Sequence, residues 1–239
     1  MTESLHPSVL LSYTQPLTYS RITSIEDPLF RGMHDLMSRI FPKEEVLAFD
    51  LWREPLEDPA IHVYVAVHEG QVVGATEYRY VEHLNVAMTD FTIIGQQALG
   101  IGRFLFEQRE TDLNRLAAEA GNQLLGMFAE IYDPYQVEDA AFGGVMTMNP
   151  YVRREVLSHM GYERLDFSYV HPSWENDGSA VSGLDFGFLP MDHRISALPA
   201  SLIVQFLEWY YRVLPNKPQA WLDMIEDLRQ RDYITLQPL

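Results

Sequence analysis

The segment Gln97-Ala98-Leu99-Gly100-Ile101-Gly102 separates a β-rich run from a helical one, and its residue types suit the binding of an anion. The first turn of a helix leaves N–H groups unpaired, and the helix dipole adds partial positive charge there. Glycines at 100 and 102 remove the side chains that would hold a diphosphate away from the backbone. Arg103 adds a cation at the rim. Two other phosphate-binding patterns fail on spacing. A dinucleotide fingerprint requires Gly or Ala where Leu105 stands, and a P-loop requires Gly-Lys-Ser/Thr, whereas Lys43 and Lys217 are both remote. The 8 histidines form no His-x-x-x-His or His-Glu-x-x-His pattern, so no metal site is expected. Gly-x-Ser-x-Gly is absent, and with no cysteine there is no thiol nucleophile.

The elements that must position this loop follow from periodicity. Residues 1–16 read as a flexible arm interrupted by Pro7 and Pro16, and residues 19–22 as a short first strand. Pro28 opens a helix whose apolar residues Leu29, Met33, Leu36, Met37 and Ile40 recur at helical spacing. A second short helix is expected over residues 43–51, with Val46, Leu47 and Leu51 inward. Residues 62–67 and 72–80 form a hairpin about Glu69-Gly70, and residues 84–94 a third strand. After the glycine loop come a helix ending near Gly121 and a strand over 124–131. A helix over 151–160 and strands over 162–170 and 184–191 follow. Residues 133–150 read as a long irregular loop on the substrate side. The fold class is α/β (mixed α+β): a mixed, mostly antiparallel sheet of about seven strands with helices on both faces. Residues 17–192 form the main domain. Residues 193–239 form a C-terminal appendage of two helices, over 201–214 and 219–231.

The loop resembles the Arg/Gln-x-x-Gly-x-Gly/Ala pyrophosphate loop of GNAT acyltransferases, and the element order over residues 17–192 is similar to that family. Gly161-Tyr162 resembles the Gly-Phe/Tyr found there before the sixth strand. The resemblance implies that Gln97, Ala98, Leu99, Gly100, Ile101, Gly102 and Arg103 hold the diphosphate of acetyl-CoA or another acyl-CoA. It implies that Thr92, Ile93 and Ile94 offer backbone partners to the pantetheine arm and the thioester carbonyl, where a main-chain N–H would stabilise the oxyanion. The implied reaction is direct attack of an amine on the thioester in a ternary complex.

Such a reaction needs a base for the attacking ammonium. Family members place a carboxylate on the central strands, and the candidates here are Glu130, Asp90 and Glu77. Glu130, flanked by apolar residues, is the favoured base, with its pKa expected to rise on desolvation. Asp90 and Glu77 read as solvent-facing. Leu157 stands where the family commonly has the tyrosine that protonates the leaving thiolate, so Tyr151, Tyr132 or Tyr135 would have to substitute. Asn149 is one residue out of register with a family asparagine. The cluster Trp209-Tyr210-Tyr211 reads as a buried helix face, or as the lining of an acceptor pocket.

Composition limits the partners. The 239 residues are 47% hydrophobic and 12% aromatic, as in a globular core. With 34 acids against 17 bases the net charge is −17, which opposes nucleic acid and anionic membranes and favours a cationic acceptor. There is no apolar run long enough to span a membrane, and residues 1–16 lack a signal-peptide pattern, so a cytoplasmic location is expected. The expected function is acyl transfer to the primary amine of a small molecule. A catalytically inactive acyl-CoA-binding or regulatory module is the alternative, and a protein working through its helical tail is a third. A homodimer through the tail or the last strands is expected.

Overall fold

Two β-branched runs joined by Glu69-Gly70 form the hairpin from which the sheet grows. In the computed structural model, which describes residues 16–41, 46–97, 99–136 and 149–239, β2 (Ile61–His68) and β3 (Gln71–Val81) pair antiparallel. Both turn residues have positive φ, as a tight hairpin requires. β1 (Thr18–Ile22) extends the sheet beside β2, and β4 (Val86–Ile94) beside β3. The helix α3 (Ile101–Glu119) carries the chain to β5 (Gly126–Tyr132), which lies parallel to β4. Beyond β5 come β9 (Leu184–Pro190), β6 (Glu163–Leu165), β11 (Tyr233–Pro238) and β10 (Ala197–Pro199), giving a sheet of nine strands. Among the described residues β4–β5 is its one parallel pair. β7 (His171–Pro172) and β8 (Ala180–Val181) make a separate two-stranded ribbon.

Alternation along β3 assigns the two faces. Gly74, Thr76 and Tyr78 meet α3, and a Cβ on Gly74 would fall 2.4 Å from Ile101, so glycine lets the start of α3 close onto the sheet. Ala75 and Val81 point the other way. There α1 (Pro28–Ile40) buries Phe30, Met33, Leu36 and Met37. Asp27 caps α1 by accepting from the Leu29 N–H at 2.8 Å. On the same face α5 (Ala200–Tyr210) and α6 (Gln219–Arg229) bury Phe206, Leu207, Met224 and Leu228 against Val81, Met88, Phe128, Phe186 and Phe188.

Three expectations change. The helix expected over residues 43–51 is instead a 3₁₀ turn, Phe49–Trp52, followed by α2 (Arg53–Glu57), and residues 42–45 lie outside the described residues. Phe49 and Trp52 pack on Phe30 at 4.7 and 6.0 Å, which leaves Leu47 and Leu51 exposed. The strand expected over 162–170 ends at Leu165, because Phe167 and Tyr169 turn away to pack on the tail helices. The two tail helices are present, but residues 193–239 also supply β10 and β11, which extend the sheet beyond the seven strands expected.

Phe206 is fully buried, its ring 4.4 Å from that of Phe128. Phe206→Ala is expected to cost about 3–5 kcal/mol, measured as a shift of one urea-unfolding transition. A separate early transition carried by the tail alone would show that the tail folds independently of the sheet.

Candidate functional site

The pairing of β4 with β5 runs from Val86↔Gly126 to Thr89↔Ala129 and stops there. β4 remains bonded to β3 as far as Gly74↔Ile94, so among the described residues its other edge has no strand partner from residue 90 onward. That free edge leads into the glycine loop. Gly100 precedes α3 with φ 66°, and a Cβ placed there would meet nothing within 4 Å, so the mouth of the loop is open. Ile101 is buried beneath it. Gln97 and Gly100 are exposed, Leu99 is half-buried, and Ala98 lies outside the described residues. Arg103 is at the rim but holds Glu107 at 2.7 Å. The loop's backbone donors and open mouth fit a diphosphate.

Thr92 and Ile94 turn their main-chain groups to the free edge, whereas Ile93 pairs with Ala75 of β3, in step with the Gly95 N–H bond to the Val73 carbonyl. The Thr92 side chain faces α3, Ile93 packs toward α1, and Ile94 is exposed beside Gly102. β4 carries one extra residue here: Glu77 lies opposite Phe91 and Tyr78 opposite Thr89, leaving Asp90 bulged.

On the face covered by the tail helices, the bulge brings Asp90 into a cluster with Glu77, Arg79 and Tyr210. Arg79 Nε donates to Asp90 Oδ2 at 2.9 Å, its Nη2 lies 3.5 Å from Glu77 Oε1, and the Tyr210 hydroxyl donates to Asp90 Oδ1. The solvent-facing expectation for both acids is therefore wrong, since Glu77 is buried and Asp90 nearly so. Burial, followed by the charge of Asp90, pushes the Glu77 carboxyl up to about 8 against the pull of Arg79.

Glu130 forms the second half of this face. It accepts from the hydroxyls of Tyr169 and Tyr211, and His171 Nε2 lies 3.4 Å from Oε2. Burial, the largest influence, would raise its carboxyl, but the hydrogen bond and charge of His171 and the two phenols bring it below the usual carboxylate range. The expected upward shift belongs to Glu77 instead. The two halves touch through Tyr210 and Tyr211, whose rings are 4.9 Å apart. Trp174, half-exposed, lies against both at 5.9 and 5.5 Å.

Tyr151 does not join this cluster. It is half-exposed on α4 (Pro150–His159), with its hydroxyl donated to the Pro134 carbonyl at 3.2 Å. Asn149 caps that helix by accepting from the Tyr151 N–H at 3.0 Å. Leu157 packs among the apolar residues under α3. Much of the irregular segment expected over residues 133–150 (137–148) lies outside the described residues. Sequence reasoning undervalued Glu77 and missed His171, Tyr169 and the roles of Tyr210 and Tyr211. Only the adjacent tyrosines in an apolar helix hinted at polar work. No group of side chains that could hold a metal occurs among the described residues. Two shallow depressions beside α1 share no residue with the cluster.

Neither a protein-family model nor a curated protein matches the sequence. Solved structures do match by shape. A protein of Bacteroides thetaiotaomicron described as an acetyltransferase of the GNAT family superposes over 83% of this chain and 98% of its own, with a TM-score of 0.59 at 13% identity. The ribosomal-protein-S18-alanine N-acetyltransferase of Escherichia coli aligns over 75% and 98%, with a TM-score of 0.48 at 12% identity. With the glycine loop at the head of α3 and the parting of β4 from β5, the first of these shows that the chain has the fold of the GNAT acetyltransferases.

Proposed function

We propose that the chain is an acyltransferase that moves an acyl group from acyl-CoA to the primary amine of a small cationic molecule. The observation that carries this reading is the anion loop opening onto the unpaired edge of β4, with buried carboxylates behind it. Backbone N–H groups of residues 97–103 would hold the CoA diphosphate, and the edge at Thr92 and Ile94, on either side of Ile93, the pantetheine and thioester. CoA supplies an activated thioester carbonyl. The amine nitrogen attacks its carbon, a C–N bond forms, and the C–S bond breaks. The amine proton passes to the ionised form of Glu77 beside Asp90; its pKa of about 8 lies near neutral, as a general base requires. Solvent protonates the departing thiolate, since Leu157 offers no proton. Glu130, held ionised, draws the cationic acceptor together with Trp174, Tyr210 and Tyr211. Tyr151 has no part in the chemistry on this reading.

A second reading, an acyl-CoA-binding module without turnover, is favoured by Leu157 alone. Acyl transfer measured across a panel of amines separates the two. Asp90→Asn is expected to lower kcat about 10²–10⁴-fold with little change in acyl-CoA affinity. CoA binding with no transfer to any amine would leave the module reading standing.

Acetyl-CoA at about 100 times its dissociation constant should stabilise the fold by roughly 2.7 kcal/mol, or about 5–10 °C in Tm. Absence of any shift at millimolar acetyl-CoA and CoA would remove the acyl-CoA reading. The raised Glu77 pKa gives a further prediction of definite sign. The folded state binds the extra proton between the ordinary value of 4.5 and about 8, so this group lowers stability as pH climbs through that window. Glu77→Gln removes the penalty. Its stability advantage over the parent should grow by up to about 1.4 kcal/mol per pH unit across that window and level off above it. An advantage that does not vary with pH would show that Glu77 is not held protonated.

A further inference from the structure

The buried stripe of α3 contains Ile101, Leu105, Arg109, Leu113 and Ala117, each four residues after the last. Such a stripe belongs to the apolar core, yet its middle position is a guanidinium only 3% exposed. Its Nη1 donates to the hydroxyls of Thr76 at 3.1 Å and of Thr89 and Thr92 at 2.8 Å each. Nε is buried with no partner, and among the described residues Arg109 has no carboxylate within ion-pair distance. The buried acid of the helix, Asp112, is committed elsewhere. It accepts from the Tyr78 hydroxyl at 2.6 Å and from Arg115 at 2.6 Å. The Tyr162 hydroxyl is also buried without a partner among the described residues, and its phenol lies close enough to feel the charge of Arg109. A buried cation without a counter-charge is far costlier than a paired one.

The position of this cation identifies what it awaits. Thr89 is the last residue of β4 paired with β5, and Thr92 lies on the free edge beyond it. Arg109 therefore lies at the vertex where the strands part, about two turns along the helix whose first turn forms the anion loop. The opposite face, with Glu77, Asp90 and Glu130, would repel an anionic acceptor, so an anion reaching Arg109 arrives on the donor side. Accepting the acyl-CoA reading, we propose that Arg109 pairs with a carboxylate at the far end of the acyl group. The donor is then the CoA thioester of a dicarboxylic acid, with Tyr162 as a second hydrogen-bond donor to that carboxylate.

Binding of succinyl-CoA, butyryl-CoA and acetyl-CoA to the full chain tests this by titration calorimetry. Butyryl-CoA matches the succinyl chain in length but lacks the charge. Succinyl-CoA is expected to bind about ten- to a hundredfold more tightly than butyryl-CoA, the effect of one charge-assisted contact. Arg109→Met should bring that ratio to about one while preserving butyryl-CoA affinity. Without ligand the variant should melt no lower than the parent, since an apolar chain of similar length suits the stripe. Should that variant fail to fold, Arg109→Lys provides the check, with a reduced but surviving preference for succinyl-CoA. Equal or weaker succinyl-CoA binding by the parent would overturn the inference and leave the acyl-CoA reading intact. Failure of all three thioesters to bind would overturn both. An undiminished preference in Arg109→Met would remove Arg109 from the role.

Discussion

A single extra residue in β4 determines what each face of the sheet presents. In regular pleating, residues three apart point to opposite faces. The bulge at Asp90 cancels that, so Thr89 and Thr92 both face α3 and converge on one nitrogen of Arg109. The same bulge turns Asp90 and Phe91 together toward the other face, where Asp90 meets Glu77 and Arg79, and Phe91 packs near α1. It also lies one residue past the last β4–β5 pair. The parting of the strands, the carboxylate pair and the threonine cradle thus share one origin. A register without the bulge would expose one threonine of the cradle to the acidic face and separate Asp90 from its partners.

The tail helices convert this geometry into two acids of opposite character. Tyr210 donates to Asp90, and Tyr211 to Glu130, from consecutive positions at the end of α5. Glu130 gathers three donors and remains ionised; Glu77 faces another carboxylate in a dry setting and holds its proton. Environments that drive two nearby carboxyls apart in pKa are what acid–base chemistry requires of a site. Arg79 cannot neutralise the whole cluster, because it is a single cation set among three buried acids.

Much of the fold was legible in the sequence. The hairpin, the glycine loop, α1, α3 and both tail helices follow from period, caps and turn residues, because each is a local property of the chain. β10 and β11 were not legible. Each is short, and they pair with each other across α5 and α6, so nothing local marks them. Glu77 was misread for a related reason. Strand alternation says which residues share a face but not what later covers that face, and here the cover comes from more than 120 residues downstream. Arg109 was passed over because four-residue spacing marks a buried stripe without weighing the charge of each member. The loop over residues 97–103 could be proposed from sequence because the chemistry expected of it is that of the backbone itself.

Leu157 argues for a fold that has lost its chemistry, but the buried charges argue against that. A module needing only to hold CoA could do so with the loop and the free edge of β4. It would gain nothing from a carboxyl kept protonated beside Asp90, or from a guanidinium in the core stripe of α3. Both are costly wherever no ligand compensates them, and apolar residues would serve the packing better. They lie on opposite faces of the same vertex, one on the side where an amine would enter and one on the side where a thioester would. That pairing of costs across a single opening is what a site for joining two substrates requires. On the proposed reading, the proton that Leu157 does not supply is needed only after the C–S bond has begun to break, a step that solvent can complete.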